Sequence, residues 1–382
     1  MKRIELLVGL DDAFGRAVAR GVIRYAKTRR DWKLYGYGRL FADPREIEEA
    51  GGPRADGIIA RVESVAHARV LAAAGVPVVD VAGAYPGLGF HEANNDDFLT
   101  GRRAGEYLRG LGFRRFAFCG VEGAVWSKLR RSGFLEAGGS ARGGVPLFER
   151  SLDWWKERER EAGGLGDWLR GVAAPAALFA CNDIVGLKVA EACRLSGIEI
   201  PADIAILGVD DEDLLCELAA PSLSSVRLDC EGIGAAAAAL LDATIGGERA
   251  ERGRVQVVAP VGIVERDSSR TFLADDPLVA QAIGRIRAGG GLNENAADLC
   301  ARLPACKRSV ERRFKAATGK TLHRAILDER LDRAKRLLAQ SDSGLEAVAE
   351  ASGFGSLQRF HLAFKAREGL SPGAWRKIAG GR

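Results

Sequence analysis

Six short apolar runs between residues 4 and 211 narrow the possible folds more than any other feature of the chain. They are IELLVGL (4–10), GIIA (57–60), VPVVDVAG (76–83), RRFAFCG (114–120), AALFACND (176–183) and IAILGVDD (204–211). Between them lie helical patterns, among them a helix with Val18, Val22 and Ile23 on its apolar face and the segments Asp97–Leu111 and Asp183–Ser196. Strands that are apolar throughout and alternate with helices predict parallel sheets covered on both faces, joined by right-handed crossovers in a doubly wound α/β arrangement. Ligands bind such sheets at the carboxyl ends of the strands. The polar residues found there are Asp11 and Asp12, Asp80, Asn182 and Asp183, and Asp210 and Asp211.

The chain has 382 residues and 47% apolar content, more than one hydrophobic core usually serves, so two or three globular domains are expected. Charge divides them. Residues 275–382 carry 20 Lys and Arg against 12 Asp and Glu, a net +8, whereas the remainder is at −3. Basic character confined to the C-terminal part suits phosphate contact there, and leaves the rest for a small molecule or a protein partner. The first apolar run is interrupted after a few residues by Asp11-Asp12, so it reads as a strand rather than a signal-peptide core. No later run is long enough to span a membrane, and a cytoplasmic location is expected. Cysteines 119, 181, 193, 216, 230, 300 and 306 are scattered, without C-x-x-C pairs or histidines at ligand spacing, which predicts free buried thiols and no metal site. Neither G-x-G-x-x-G nor G-x-x-x-x-G-K-S/T occurs, and the four histidines belong to no acid/base or nucleophile constellation. No cofactor and no enzymatic activity are therefore expected.

The C-terminal part contains one helix pattern twice. In Leu345–Arg376, Leu345, Val348, Ala349 and Ala351 fall on a short helix that breaks at Ser352-Gly353, where a tight turn needs positive φ. Ser356 can cap a second helix with Leu357, Phe360, Ala363 and Phe364 on its apolar face, while Gln358, Arg359, His361, Lys365 and Arg367 face outward. A short helix, a glycine turn and a basic second helix make a helix-turn-helix unit, whose second helix enters the major groove of double-stranded DNA. Asn295–Lys315 repeats the scheme, with Lys307, Arg308, Glu311 and Arg312 on the exposed face of its second helix. Between the two units, Leu322–Leu338 reads as a rigid spacing helix. The wording GFGSLQRFHLAFKAREGLSPGAWR resembles the signature of the AraC family of transcription regulators over about the last hundred residues. Two departures stand in the first unit: Pro304 and Cys306 replace the turn glycine and the serine cap. Proline cannot adopt the left-handed turn and a thiol is a poor cap, so that turn must take another geometry.

Residues 178–229, LFACNDIVGLKVAEACRLSGIEIPADIAILGVDDEDLLCELAAPSLSSVRLD, resemble the regulatory core of the LacI family and of sugar-binding transport proteins. The resemblance implies a two-lobed type I periplasmic-binding-like sensor over 1–268, a linker at 269–279, and an all-α reader with two helix-turn-helix units over 280–382. It also implies that Arg130, Asn182 or Asp183, and Asp210 bind sugar hydroxyls and that Asp11, Asp12, Phe14 and Arg16 line the cleft, with Asp80 at a matching position and Trp126 as a stacking wall. Other roles stay open, since Asp12 and Asp183 could cap helices and Trp126 could be core. A sensor in front of an AraC-type reader, with the phrases PVGIVERDSS (260–269) and DPLVAQAIGRIR (276–287), resembles regulators of pentose use. That implies an aldose effector, D-xylose before other sugars. It further implies a homodimer on repeated DNA half-sites and an activator that would meet RNA polymerase.

Overall fold

The computed structural model describes all residues except 37–54, 86, 139–143, 158–163, 248–252, 272, 275, 288–293, 342 and 380–382. It divides into two compact units, Met1–Thr271 and Phe272–Arg382. The first unit holds two six-stranded sheets. In one, β1 (Lys2–Leu7) lies between β2 (Trp32–Gly36) and β3 (Gly57–Ala60), followed outward by β4 (Val78–Asp80), β5 (His91–Asn95) and β11 (Val255–Val258), all parallel. In the other, β7 (Leu147–Arg150), β6 (Phe116–Val121), β8 (Ala176–Ala180), β9 (Ile204–Val209) and β10 (Ser224–Arg227) are parallel, and β12 (Gly262–Val264) closes the edge antiparallel to β10. The chain passes between the sheets three times: after β5, after β10, and between β11 and β12. That is the connectivity of a two-lobed hinged domain.

All six apolar runs are strands, because runs such as Gly57–Ala60 and Ile204–Val209 are buried along their whole length. The pattern did not disclose the edge strands β2, β7 and β11, whose side chains are partly exposed, or β5, β10 and β12. On α1 (Ala13–Ala26), Val18 and Val22 are fully buried in the core of the first lobe, but Ile23 is 41% exposed and does not belong to the apolar face.

The helices that cover the sheets touch through glycines. In α3 (Asp97–Gly110) a Cβ on Gly101 would stand 1.8 Å from the carbonyl oxygen of Arg130, and in α4 (Val125–Gly138) one on Gly133 would stand 1.9 Å from that of Phe98. Only hydrogen fits at either crossing point, so backbone meets backbone there. Of the seven cysteines, Cys306 is exposed and Cys230 half-buried, so the expectation of buried thiols holds for the other five. Among the described residues no helix is long and apolar enough to cross a membrane.

The second unit is helical. A core of Leu278, Val279, Leu299, Val310 and Phe314 joins α10 (Pro277–Arg285), α11 (Ala296–Ala301) and α12 (Lys307–Thr318) to Leu322 and Ile326 at the start of α13 (Leu322–Gln340). Further along the same helix, Leu331, Ala334 and Leu338 join a second core with α14 (Leu345–Ala351), α15 (Leu357–Glu368) and α16 (Pro372–Ala379). Within the stretch expected as linker, Ser269 is fully buried in the first unit and Pro277–Val279 already belong to a helix of the second.

Candidate ligand cleft and nucleic-acid interface

The cleft is built around Arg130, 4% exposed, which α4 contributes. Its Nε donates to Asp97 Oδ1 at 2.8 Å, and its Nη1 donates to the Cys181 carbonyl at 2.6 Å and lies 3.6 Å from Asp210 Oδ1. The guanidinium also stacks 5.1 Å from the Trp126 ring centre. Burial pushes the Asp97 carboxyl up and Arg130 pulls it back. Each charge thus offsets part of the other's cost of burial.

Asp210 follows β9 at φ 110°, with Asp211 at φ 54°, a left-handed conformation that costs non-glycine residues about 1–3 kcal/mol each unless their surroundings hold them there. The Asp210 side chain is 40% exposed to the cleft. Its carboxyl is pushed up to about 6, first by burial in the concave wall and then by Asp97 and Asp12, against the pull of Arg130 and Arg61. On the facing lobe Asp12 caps α1 through Gly15 N and accepts from Arg61 Nη1 at 2.5 Å, while Arg61 stacks 5.2 Å from the Phe14 ring centre. The two walls touch where Ala13 N donates to Glu212 Oε2 at 3.2 Å.

Arg130, Asp210, Trp126, Asp12 and Phe14 are thus brought together. The other anticipated residues are placed differently. Asp183 is 1% exposed; its carboxylate accepts from Ser225 Oγ at 2.7 Å, from Glu212 N at 2.9 Å and from the Cys216 thiol, and burial with nearby Asp210 pushes it up. Asn182, not Asp183, caps the helix Asp183–Leu195. Asp80 turns inward and accepts from Val62 N, Ala82 N and Gly83 N, which fixes the loop after β4. Arg16 ties the first loop by donating to the carbonyls of Leu10 and Asp11, leaving Asp11 exposed at the rim. Sequence reasoning missed Arg61, Asp97 and Glu212 as cleft residues. Arg61 immediately follows the strand GIIA, so the rule about strand ends could have found it.

In the second unit the two reading helices are built alike but capped differently. Val310 and Phe314, and likewise Phe360 and Phe364, are buried, and both helices end on left-handed glycines, Gly319 and Gly369. Gly353 turns at φ 79° before Ser356, which caps α15 by accepting from Arg359 N at 3.3 Å. The first turn contains no positive φ, and Cys306 makes no side-chain cap. Lys307, Arg308, Glu311 and Arg312 are exposed on α12, with Lys307 3.9 Å from Glu311; Gln358, Arg359 and Lys365 are exposed on α15, with His361 half-buried. Arg367 is exposed as well, and it pairs with Asp328 at 2.6 Å and Asp332 at 3.2 Å on the spacing helix.

Two family models match within these units: a periplasmic binding protein-like domain at residues 106–269, the later part of the first unit, and a helix-turn-helix domain at 299–378. The chain is a DNA-binding transcription regulator. Its sensor has a periplasmic-binding-like fold, and its reader is an AraC-type double helix-turn-helix. The regulator is 26% identical to the xylose operon regulatory protein of Haemophilus influenzae over 98% of both chains. It is 28% identical to that of Escherichia coli K12 over 98% of this chain and 97% of the other. Among solved structures it is similar to the xylose-binding transcription activator xylR, with TM-score 0.66, 26% identity and coverage of 99% and 98% of the two chains. The fold of its sensor also matches a LacI family regulator from Enterococcus faecium with bound ribose, at TM-score 0.55 and 21% identity over 72% of this chain and all of that one. The curated relatives are transcription regulators.

Proposed function

We propose that an aldose, D-xylose before others, switches this regulator and that it activates genes for using that sugar. The arrangement of the cleft carries this reading. Sugar hydroxyls both donate and accept, and the cleft offers Arg130 and Arg61 as donors beside Asp210 and Asp12 as acceptors. Trp126 and Phe14 supply apolar faces for the C–H side of a ring. The xylose-regulator relatives, matched over nearly their whole length, support a pentose. On the same reading Arg308, Arg312, Gln358 and Arg359 contact base edges, and Lys307, Glu311, His361 and Lys365 border the groove. A cytoplasmic homodimer would place four reading helices on repeated half-sites, where it would meet RNA polymerase.

Calorimetric titration of the full chain with D-xylose, L-arabinose, D-ribose and D-glucose tests the proposal. D-Xylose is expected to bind most tightly, because the extra CH₂OH of glucose would leave a buried hydroxyl unpaired at a cost of about 1–3 kcal/mol. Tight glucose binding without a xylose response would reject the pentose, and no binding of any aldose would reject the sugar-sensor reading.

A further inference from the structure

Asp210, Asp211 and Glu212 are three consecutive acids with three destinations. Asp210 faces Arg130 across the cleft floor, and Glu212 accepts from Ala13 N on the opposite lobe. Asp211 points the other way. Its side chain is 2% exposed, with Arg227 2.6 Å from Oδ2 and Arg266 Nη2 2.7 Å from Oδ1. Arg266 is 12% exposed in its side chain and also donates to the Leu223 carbonyl at 2.9 Å. Its backbone is clasped on both sides by Ser224, which donates to Arg266 O at 3.0 Å and accepts from Arg266 N at 2.8 Å. Five residues later, at Thr271, the sensor ends and the reader begins.

Asp210 and Asp211 both hold positive φ without being glycine. Such a turn persists only while its anchors over-determine it, so a pull on either flanking carboxylate is felt by the other. A ligand that draws Asp210 and the opposite lobe together loads this turn; on its far side Arg227 hydrogen-bonds Asp211 and Arg266 pairs with it as the ion partner that lies in the segment leading to the reader. We propose that Arg266 is a positioning and coupling residue: through Asp211 it holds the Asp210 turn in binding geometry, and it passes the state of the cleft to the segment entering the reader. The assignment rests on the sugar-regulator reading. The structure distinguishes Arg266 from Arg227, which grips the same carboxylate from β10 but does not lead into the reader.

The test is a linkage measurement on the full chain: operator affinity with and without saturating D-xylose, alongside calorimetric sugar affinity. Arg266→Gln is expected to keep the sugar-free operator affinity and to weaken sugar binding, by up to about tenfold. Its ratio of operator affinities with and without sugar should fall to near one. Arg266→Lys should restore part of the ratio, and Arg227→Gln should keep it. Far-ultraviolet circular dichroism checks folding; if Arg266→Gln is unfolded, Arg266→Lys carries the test and must lower the ratio below wild type. A wild-type ratio in folded Arg266→Gln, or equal losses in Arg266→Gln and Arg227→Gln, overturns the coupling role alone. A wild-type chain that responds to no aldose would overturn the sugar reading, and this assignment with it.

Discussion

Arg130 shows how much one residue type can decide when it is buried. Taking its guanidinium out of water is tolerated only because Asp97 and the Cys181 carbonyl replace the lost hydration. Arg130→Ala would leave Asp97 buried and charged, a change that costs about 3–5 kcal/mol for a broken internal pair. Urea denaturation should show that loss, together with loss of sugar binding; a variant of wild-type stability would mean that Asp97 is not held as described. The Asp210 carboxyl, pushed up to about 6, makes a second prediction. A folded-state value above the unfolded one means that the folded chain binds the extra proton between roughly pH 4 and 6, so Asp210 favours folding there and that contribution fades as pH rises through 6. Ligand binding runs the other way, because only the carboxylate accepts from two sugar hydroxyls. Titration at pH 7.5, 6 and 5 should give sugar affinity falling below pH 6, and Asp210→Asn should be weak and nearly flat over that range.

At the scale of elements, the cleft depends on helices that meet without side chains between them. Gly133→Ala would place a methyl 1.9 Å from the Phe98 carbonyl and drive α3 from α4, the two helices that carry Asp97 and Arg130. Overpacking of this kind costs about 1–3 kcal/mol, and the melting temperature should drop with it. Gly110→Ala, on α3 in open space, should be neutral or better. The reading helices make a separate prediction. Arg312→Ala and Gln358→Ala should each weaken specific operator binding by about 1–3 kcal/mol, while Lys365→Ala should chiefly lower the salt dependence. Fluorescence anisotropy on operator and scrambled duplexes separates the two effects; an unchanged specificity ratio in both of the first two would move base reading elsewhere.

For the whole molecule, the boundary lies where the last buried residue of the sensor gives way to the first core helix of the reader. Ser268 and Ser269 are fully buried, and Leu278 and Val279 are core residues of the second unit. Proteases should therefore cut first between residues 270 and 276 and release two stable fragments. Early cleavage within 100–200 that spares this segment would contradict the division, with mass spectrometry of the fragments deciding between them.

The sequence alone determined the alternating α/β pattern, the paired helical readers and the basic C-terminal charge, because each follows from local periodicity or composition. It also marked Arg130, Asp210, Asp12, Phe14 and Trp126 by resemblance. Tertiary structure alone decided which carboxylates face the cleft. Asp183 and Asp80 stand at strand ends like Asp210, yet Asp183 is taken up by Ser225, which comes near only after folding, and Asp80 by Val62 N from the neighbouring strand's loop together with its own adjacent amides at Ala82 and Gly83. Arg61 and Asp97 became cleft residues, and Arg367 became tied to the spacing helix, for the same reason. A charged side chain goes where its opposite charge is brought, and that partner lies 33 to 49 residues away in these three cases, beyond the reach of any local pattern.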